Sequence, residues 1–356
     1  MGEAVITRIF LMILVSFLFV AFVMPFVKKL AFHIGALDIP RSEEGHRHIH
    51  TKTTPKLGGL AMFLGFLFTY MFFGDTSSTM NSILIGSFLI IITGIIDDIH
   101  SIRALVKFVG QLAAACVVTF YGGILLQDVS AFGIYIDFGI FAYPITIFFI
   151  LGCINCINLI DGLDGLAGGI SAIYFLTIGI IAAIMGSLGL DVILTFIMFG
   201  AVLGFLVHNF HPATIFAGDS GSMFMGFMIS VIALLGFKNV TLTSLLIPLL
   251  ILAIPILDTL FAIVRRRLKG ESFSTPDKSH IHHQLLNLHF SYRTTVLIIY
   301  AIQGLFSLAS IVYVLRDRTL GYILYTILVI IVMLLVLKTD VVFDHKELEK
   351  KLKNLK

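Results

Sequence analysis

The sequence predicts an all-α polytopic integral membrane protein. Hydrophobic residues make up 58% of the 356-residue chain and charged residues only 13%, about half the charged fraction of an ordinary soluble domain. Mean hydropathy is +1.03. Many apolar runs reach the roughly 20 residues that a helix needs to cross the hydrocarbon core of a bilayer.

Eleven candidate membrane-spanning helices follow one another along the chain. The first apolar run is longer than a signal-peptide core and lacks a small-residue cleavage pattern, so we read it as a retained helix. The spans are expected at about 4–26, 57–74, 81–96, 104–122, 141–157, 166–186, 192–207, 222–237, 240–263, 294–314 and 319–337. Segment 123–140 has Gly and Asp punctuation and partial alternation, which predicts a short outward-facing β-hairpin.

The distribution of Lys and Arg predicts the orientation. Most of these residues fall on one side of the predicted spans, and the positive-inside rule places that side in the cytoplasm. The N-terminus is then outside and the C-terminus cytoplasmic. We expect one transmembrane catalytic domain over 1–337 and a charged cytoplasmic tail over 338–356. The predicted cytoplasmic loops are 27–58, 97–107, 158–165, 208–221 and 264–293.

Carboxylates gather at the predicted cytoplasmic ends of the spans. They come from three separate loops: Asp97 and Asp98, Asp161 and Asp164, and Asp219. Acids at a membrane boundary are costly unless they are paired, hydrated or bound to metal. Their common side therefore predicts one polar cleft.

The pair Asp97–Asp98 ends a predicted helix, where acids oppose the helix macrodipole. A hydrated helix end is the plain alternative. Arg103 and Lys107 follow within a few residues and supply positive charge, so we favour a functional pair.

The stretch NCINLIDGLDGLAGG carries polar residues at every third position: Asn155, Asn158, Asp161 and Asp164. In a continuous helix these would lie on one face, and the glycines would let a ligand approach the backbone. Hard oxygen donors beside amides suit Mg²⁺. A Gly-rich turn between helices is the structural alternative, although a turn needs fewer acids and glycines.

A third polar loop, HNFHPATIFAGDSGS, contains Asn209, His211, Asp219 and Ser220. The exposed amides before the next span would form an anion-binding helix N-terminus, and Asp219 would add a metal ligand.

Two histidine-rich segments lie on the same predicted side. One holds His280, His282, His283 and His289 beside Lys278, and the other holds His46, His48, His50, Lys52 and Lys56. Zinc is one interpretation of the first segment, but no cysteine or acid lies at the usual ligand spacing, so we favour anion or sugar binding. For the second, phosphate contact and a basic membrane-surface loop are equally open. Asp258, within a predicted span, is read first as a structural partner.

Four motifs in this order resemble the polyprenyl-phosphate N-acetylhexosamine-1-phosphate transferases. They are GIIDDIHSIRALVKFVGQ, NCINLIDGLDGLAGG, NFHPATIFAGDSGSMFMG and DKSHIHHQLL. The resemblance implies ten or eleven membrane helices and a Mg²⁺-dependent cytoplasmic site, with Mn²⁺ as an alternative ion. It also implies transfer of a sugar 1-phosphate from a UDP-N-acetylhexosamine to undecaprenyl phosphate, with release of UMP.

The resemblance also implies roles for individual residues. Asp97 and Asp98 match a catalytic acid pair near the carrier phosphate, one member of which is proposed to deprotonate it, and Asp219 matches the principal Mg²⁺ ligand. Asn158 matches a second metal or diphosphate contact, and Lys107 matches a diphosphate-binding lysine. Further substrate-binding candidates are Lys52, Asn155, Asp161, Asp164 at the uracil, Asn209, His280, His282 and His283.

The peptidoglycan branch of this family resembles a run of three consecutive histidines after a proline, whereas Ile281 interrupts the run here. Together with IHTKTTPKLGG, this looks more like the bacterial branch that uses UDP-GlcNAc for teichoic acid linkage units or O-antigen-type glycans. Phospho-N-acetylmuramoyl-pentapeptide transfer in peptidoglycan synthesis is the alternative. A secondary transporter and a lipid-phosphate phosphatase are the rivals from other classes. We expect a multi-pass protein of the bacterial cytoplasmic membrane, with the bilayer as partner, no nucleic acid partner, and a homodimer left open.

Overall fold

The computed structural model describes residues 3–39, 53–131, 134–186, 189–238, 246–269, 280–316 and 318–338. Thirteen α-helices lie in these ranges: α1 (Glu3–Ile34), α2 (Gly58–Phe73), α3 (Ser78–His100), α4 (Ala104–Cys116), α5 (Ala142–Ile160), α6 (Leu166–Ile184), α7 (Leu190–Asn209), α8 (Gly218–Lys238), α9 (Leu246–Ile251), α10 (Ala253–Lys269), α11 (Ile281–Asn287), α12 (Tyr292–Leu315) and α13 (Arg318–Lys338). Four short strands accompany them: β1 (Leu37–Asp38), β2 (Thr54–Pro55), β3 (Asp128–Ala131) and β4 (Ile134–Asp137). The chain divides into two compact units, Met1–Leu246 and Ile247–Lys356.

The prediction of a polytopic all-α membrane protein is confirmed. Within the described residues, eight helical segments are long and apolar enough to cross a membrane: Glu3–Ile34, Ser78–His100, Ala104–Tyr121, Gly139–Ile160, Leu166–Ile184, Leu190–Asn209, Gly218–Gly236 and Tyr292–Leu315. Two further apolar helices, Gly58–Phe73 and Arg318–Leu334, are shorter. These ten segments overlap ten of the eleven predicted spans. The number eleven and the orientation stay predictions.

The described part of the predicted span 240–263 is helical with a one-residue break, and whether it crosses the membrane stays a prediction. Helix α9 ends at Ile251 and α10 begins at Ala253. Pro255 has no N–H to donate to the carbonyl of Ile251, four residues earlier, so one regular helical hydrogen bond is missing at this break. The side-chain amide of Gln303 on α12 donates to that carbonyl instead.

Several predicted loops are shorter in the structure because the helices run further. Helix α1 continues through Pro25 to Ile34 rather than ending near residue 26. Helix α3 reaches His100, so Asp97 and Asp98 lie in its last turn. Lys107 lies in the first turn of α4. The polar residues of this end therefore project from ordered helix ends rather than from long loops.

The predicted β-hairpin is present at 128–137. Strands β3 and β4 pair antiparallel, with Asp128 opposite Asp137 and Val129 opposite Ile136. The hairpin follows Gly122, whose carbonyl accepts from Thr79 at the start of α3. Asp97 lies at the other end of α3, so the hairpin and the acids lie at opposite ends of this helix.

Helix α8 forms the centre of the first unit and packs against α2, α3, α5, α6 and α7. Its N-terminus lies against backbone on two sides. A Cβ at Gly94 of α3 would lie 2.2 Å from Cα of Ser220, and one at Gly59 of α2 would lie 2.2 Å from the nitrogen of Gly221. Only glycine permits these approaches, and they hold the start of α8 close to the end of α3.

A short extended segment brings the N-terminal part of the chain to the same place. Strand β1 pairs antiparallel with β2, and Lys56 pairs in parallel with Phe216. The amide of Phe216 donates to Pro55, and the amide of Gly58 donates to Phe216. These bonds attach residues 37–38 and 54–56 to the segment that precedes α8.

Candidate active site

Asp98 is the N-terminal capping group of α8, although it belongs to α3. Its Oδ1 accepts from the amide of Asp219 at 2.9 Å. Its Oδ2 accepts from the amide of Ser220 at 3.2 Å and from the Ser220 hydroxyl at 2.8 Å. The residue is 3% exposed. A carboxylate at a helix N-terminus satisfies unpaired N–H groups and faces the positive end of the macrodipole, so Asp98 positions the turn that carries Asp219.

The neighbouring acid, Asp97, has different partners because adjacent helical residues project about 100° apart. Its Oδ1 accepts from the amide of Ile102 at 2.9 Å, and its Oδ2 accepts from the Lys107 ammonium at 3.0 Å. Ser101, which follows the last residue of α3, adopts a left-handed conformation with φ 45° and reverses the chain before Ile102. The predicted acid pair thus divides into one capping carboxylate and one ion-paired carboxylate.

Lys107 bridges two carboxylates from different helices. Its Nζ lies 3.0 Å from Oδ2 of Asp97 and 2.5 Å from Oδ2 of Asp219. The side chains of Lys107 and Asp219 are 26% and 24% exposed, so a ligand can reach them. This ammonium compensates two acids that would otherwise repel each other.

Asn158 lies beside Asp219, as the sequence predicts. Its amide donates to Oδ1 of Asp219 at 3.2 Å and to the hydroxyl of Ser222 at 2.8 Å. Asn155, one turn earlier, lies away from this centre. Its amide donates to Gln111 Oε1 at 2.9 Å and joins α5 to α4.

The loop between α5 and α6 is tied to the segment before α8. Asp164 is buried, and its Oδ2 accepts from Nδ1 of His211 at 2.8 Å and from the amide of Ala213 at 3.0 Å. Asn209 Oδ1 accepts from the amide of Gly165 at 2.9 Å, where φ is +78°. Asp164 and Asn209 therefore hold the loops that shape the site.

One cavity collects most of these residues. Its volume is about 210 Å³, and its lining is Asp38, Lys56, Asp98, Asn158, Asp161, Gly162, Leu163, Asp164, Asn209, Phe216, Ala217, Gly218, Asp219 and Ser222. The prediction that three separate loops form one polar cleft is confirmed for this part of the chain. Asn155 and Lys107 do not line the cavity, although Lys107 contacts Asp219 at its wall.

Sequence reasoning missed several lining residues, among them Asp38, Phe216 and Ser222, and gave Lys56 only a general phosphate role. Asp38 had a usable signal, because it follows Gly35 at the end of the first apolar run, where φ is +78°. Phe216 had none, since aromatic residues are common throughout this chain. Among the described residues that line the cavity, Lys56 is the only cation.

Asp161 lies between α5 and α6 and lines the cavity. Burial, and after it the negative charges of Asp219, Asp98 and Asp164, together raise the pKa of its carboxyl to about 8. At neutral pH this carboxyl is therefore largely protonated unless positive charge is brought close.

The second unit contains the histidine cluster. Nδ1 of His280 lies 2.7 Å from Oδ2 of Asp258, and the amide of Ile281 donates to Oδ1 at 2.8 Å. The ring of His282 stacks on that of His280, with centroids 5.7 Å apart, and lies 4.3 Å from that of His283. Asp258 is thus a partner of His280, which agrees with its interpretation as a structural partner.

Some predicted residues lie outside the described ranges. Lys52, His46, His48, His50, Lys278 and tail residues 339–356 belong to this group.

The donor set of the first unit fits a magnesium ion. Asp219 and Asn158 offer hard oxygens at the cavity wall. Within the described ranges, no group of three or more His, Cys, Asp or Glu side chains converges to hold a metal. Mg²⁺ is often held by one or two carboxylates and completes its shell with water and substrate phosphates, which matches this arrangement.

Comparison with known proteins agrees with this architecture. Residues 80–237 match the model of glycosyl transferase family 4, and this range includes every acid of the cavity except Asp38. The chain is 42% identical over 330 residues to the probable undecaprenyl-phosphate N-acetylglucosaminyl 1-phosphate transferase of Bacillus subtilis (strain 168), covering 91% of this chain and 90% of the relative.

This chain belongs to glycosyl transferase family 4.

More distant relatives give the same picture. The decaprenyl-phosphate N-acetylglucosaminephosphotransferase of Mycolicibacterium smegmatis is 33% identical, over 81% of this chain and 78% of the relative. The undecaprenyl-phosphate alpha-N-acetylglucosaminyl 1-phosphate transferase of Escherichia coli (strain K12) is 30% identical, over 80% of this chain and 78% of the relative. These relatives support the GlcNAc branch and give the peptidoglycan alternative no support over it.

Proposed function

We propose that this chain transfers N-acetylglucosamine 1-phosphate from UDP-GlcNAc to undecaprenyl phosphate and releases UMP. The observation that carries the proposal is that Asp98, Asn158, Asp161, Asp164 and Asp219 line one and the same cavity. Relatives named for N-acetylglucosaminyl 1-phosphate transfer to polyprenyl phosphates support the choice of sugar and carrier.

In the proposed reaction, a phosphate oxygen of undecaprenyl phosphate forms a bond to the β-phosphorus of UDP-GlcNAc. The bond from that phosphorus to the oxygen shared with the α-phosphate breaks, and UMP leaves with this oxygen. A phosphate monoester has a second pKa of about 6, so the nucleophile is largely ionised near neutrality. Positioning and charge neutralisation then contribute more than proton removal.

The chain's own residues fit those two tasks. Asp98 holds the first turn of α8, so the position of Asp219 is fixed before substrate binds. Lys107 is kept between Asp97 and Asp219 and can exchange one of these carboxylates for a phosphate oxygen. A Mg²⁺ ion held by Asp219 and Asn158, or Mn²⁺ in its place, would neutralise the diphosphate and stabilise departing UMP.

The membrane setting of the proposal comes from charge distribution. The acid end of α3 lies on the side where the predicted loops carry most of the Lys and Arg, which the positive-inside rule assigns to the cytoplasm. We therefore place the site on the cytoplasmic face of the bacterial inner membrane. UDP-GlcNAc would enter from the cytoplasm and the carrier lipid from the bilayer.

The test is a substrate panel. Purified protein is incubated with Mg²⁺, undecaprenyl phosphate and, separately, UDP-GlcNAc, UDP-GalNAc, UDP-glucose and UDP-MurNAc-pentapeptide, and UMP is measured. We expect UMP with UDP-GlcNAc, and only when the carrier lipid is present. If UDP-MurNAc-pentapeptide were the only sugar nucleotide of the panel to give UMP with the carrier lipid, the peptidoglycan alternative would be established. UMP from no sugar nucleotide would reject the transferase proposal.

A further inference from the structure

Helix α1 lacks one regular backbone hydrogen bond in its second half, because Pro25 lies inside the helix. Proline has no N–H, so the carbonyl of Ala21, four residues earlier, cannot accept the bond that a helix normally provides. This helix is apolar and long enough to cross a membrane, and a backbone carbonyl without a donor is costly in such surroundings. A donor from another part of the chain would therefore stabilise α1 at this point.

His208, in the last turn of α7, provides that donor. Its Nε2 lies 3.1 Å from the carbonyl oxygen of Ala21. A carbonyl oxygen only accepts hydrogen bonds, so Nε2 carries the proton in this contact. The half-buried ring of His208 thus replaces the amide that Pro25 lacks.

The two helices also contact each other closely before this point. The hydroxyl of Ser16 donates to the carbonyl of Ile197 on α7 at 2.8 Å. A Cβ at Gly204 of α7 would lie 2.6 Å from the carbonyl oxygen of Phe17, so the backbones approach each other as small residues allow. The contact of His208 follows these two along α1 and lies next to Pro25. It therefore holds α1 at the place where its direction can change.

The residues after Pro25 lead to the cavity. Helix α1 ends at Ile34, and the carbonyl of Ala36 then accepts from the amide of Lys56 at 3.0 Å. Asp38 and Lys56 both line the cavity. Because a helix bends most readily where a proline interrupts it, the positions of these two side chains depend on how α1 is held at Pro25.

The backbone of His208 belongs to the opposite side of the same cavity. Its carbonyl accepts from the amide of Thr214 at 2.9 Å and from the Thr214 hydroxyl at 3.1 Å. The next residue, Asn209, lines the cavity and accepts from the amide of Gly165. His208 therefore connects α1 with the loop that follows α7.

We propose that His208 is a positioning residue of the cavity. Its Nε2–H holds the carbonyl of Ala21 and so sets the direction of α1 after Pro25, which places Asp38 and Lys56 at the cavity wall. The effect on substrate rests on the proposed function, in which the ammonium of Lys56 would meet an anionic part of UDP-GlcNAc.

The first test compares two substitutions of His208. His208→Phe keeps a planar ring but has no donor, whereas His208→Gln keeps an N–H group of similar reach. His208→Phe should raise KM for UDP-GlcNAc about tenfold with kcat nearly unchanged, as expected if the charged contact of Lys56 is displaced. His208→Gln should stay within about threefold of the wild-type KM, because the hydrogen bond is kept. Equal increases in KM for both variants would overturn the proposal.

Ser16→Ala is the matched control. It removes the other side-chain hydrogen bond described above between α1 and α7, but it lies on the far side of Ala21 from the cavity. Ser16→Ala should leave KM for UDP-GlcNAc unchanged. If it raised KM as much as His208→Phe does, the effect would be a general loosening of the helix pair, and the proposal would be overturned.

A second test restores the missing amide. In Pro25→Ala, residue 25 can donate to the carbonyl of Ala21, so His208 is no longer needed as its donor. The increase in KM that His208→Phe causes should therefore fall from about tenfold to less than about twofold in the Pro25→Ala background. An increase that stays the same in both backgrounds would show that His208 does not act through this carbonyl.

Amide hydrogen exchange reports the same positioning without any substrate. The amide of Lys56 donates to Ala36, and the amide of Phe216 donates to Pro55. In His208→Phe, exchange at these two amides should become about tenfold faster, because the attachment of this segment is weakened. His208→Gln and Ser16→Ala should exchange there as the wild type does. Unchanged exchange in His208→Phe would overturn the proposal.

These measurements separate the proposal from the proposed function. If wild-type protein releases no UMP, the transferase proposal fails, and hydrogen exchange still decides whether His208 positions Lys56. If wild-type protein is active and His208→Phe matches it in KM and in exchange, only the assignment of His208 is wrong. Should His208→Phe fail to fold in thermal unfolding, His208→Leu takes its place, and the same outcomes apply.

Discussion

The first unit contains an acid centre, which we define as Asp97, Asp98, Asp161 and Asp219, and the second unit contains the histidine cluster. Both are organised by one buried aspartate, but this aspartate holds a different group in each. In each, a buried aspartate accepts from the amide at the start of a helix that comes later in the chain. Both carboxylate oxygens of Asp98 accept hydrogen bonds from the start of α8. One oxygen of Asp258 accepts from the amide at the start of α11, and the other contacts the ring of His280.

The difference lies in what each aspartate fixes. Asp98 holds the backbone of Asp219, whose carboxylate is bound by Lys107 and Asn158 instead. Asp258 contacts a side chain directly, the ring of His280. We therefore expect substitutions at Asp98 to reduce stability and activity together, and substitutions at Asp258 to disturb the position of the His280 ring.

The largest effect is expected at the ligand-facing residue of the acid centre. Asp219→Asn should lower kcat about 10³-fold, because it removes the carboxylate charge that we propose holds the metal ion, and the ion would stabilise the departing UMP. The free energy of unfolding should change by less than about 1 kcal/mol, since the capping bonds of α8 remain. UMP release and chemical denaturation measure the two quantities. If kcat of this variant lay within threefold of the wild-type value, Asp219 would not be a catalytic residue of the site.

Asp98→Asn should lower kcat about 10²-fold and, unlike Asp219→Asn, should also lower the free energy of unfolding by about 1–3 kcal/mol. An amide cannot accept all three hydrogen bonds, so one buried donor loses its partner, and the displaced turn moves Asp219. The same two assays apply. Asp97→Asn is the neighbouring comparison. If Asp98→Asn were as stable as wild type but inactive, Asp98 would act in the chemistry rather than as a cap.

Lys56→Gln should raise KM for UDP-GlcNAc about tenfold with kcat nearly unchanged. Lys56 is the only cation among the described residues of a cavity that has five carboxylates, so we expect it to contact an anionic part of the nucleotide. Lys56→Arg keeps the charge and should restore most of the affinity in the same kinetic assay. Equal losses in both variants would show that charge is not what matters at this position.

The acid centre should lose stability as pH rises. The folded pKa of Asp161 is raised to about 8, whereas a free Asp titrates near 4. The folded state therefore binds an extra proton between these values, so its stability is full below about pH 4 and declines as pH rises to about 8. Denaturation in EDTA from pH 5 to 8 should show this slope in wild type and a reduced slope in Asp161→Asn. Parallel slopes would contradict the raised pKa.

The histidine cluster should show the opposite and smallest pH effect. The folded pKa of His282 is lowered to about 3, and a free His titrates near 6.5. The unfolded state binds the extra proton here, so stability is full above about pH 6.5 and falls as pH decreases towards 3. His282→Gln should flatten this loss in acid denaturation curves, with His289→Gln as the control. An unchanged acid slope would show that His282 is not buried in neutral form.

Sequence patterns predicted which loops meet but not what each residue does there. Hydropathy and charge placed Asp97, Asp98, Asp161, Asp164 and Asp219 on one side. Four of these acids line the cavity, and Asp97 stands outside it, joined to Asp219 through Lys107. The different roles of Asp97 and Asp98 could not be predicted, because they depend on which side of the last turn of α3 faces α8. Two adjacent aspartates in a sequence do not indicate how that turn is oriented.

Two other residues mark the same limit. The three-residue spacing placed Asn155 with Asn158, yet Asn155 bonds to Gln111 on α4, because three residues is short of a full helical turn and the face rotates. Asp38 reaches the cavity only because β1 pairs with β2 and Lys56 pairs with Phe216. Such pairings are long-range and leave little trace in a two-residue strand.

The most direct test of the central claim follows the β-phosphorus of the donor. UDP-GlcNAc labelled with ³²P at the β-phosphate is incubated with undecaprenyl phosphate and Mg²⁺, using wild-type protein and Asp219→Asn. Sugar 1-phosphate transfer predicts label in the lipid fraction and unlabelled UMP in the aqueous fraction, with almost no lipid label for the variant. Label that stays in aqueous UDP while unlabelled sugar enters the lipid would contradict the account, because the bond broken would then be at the sugar.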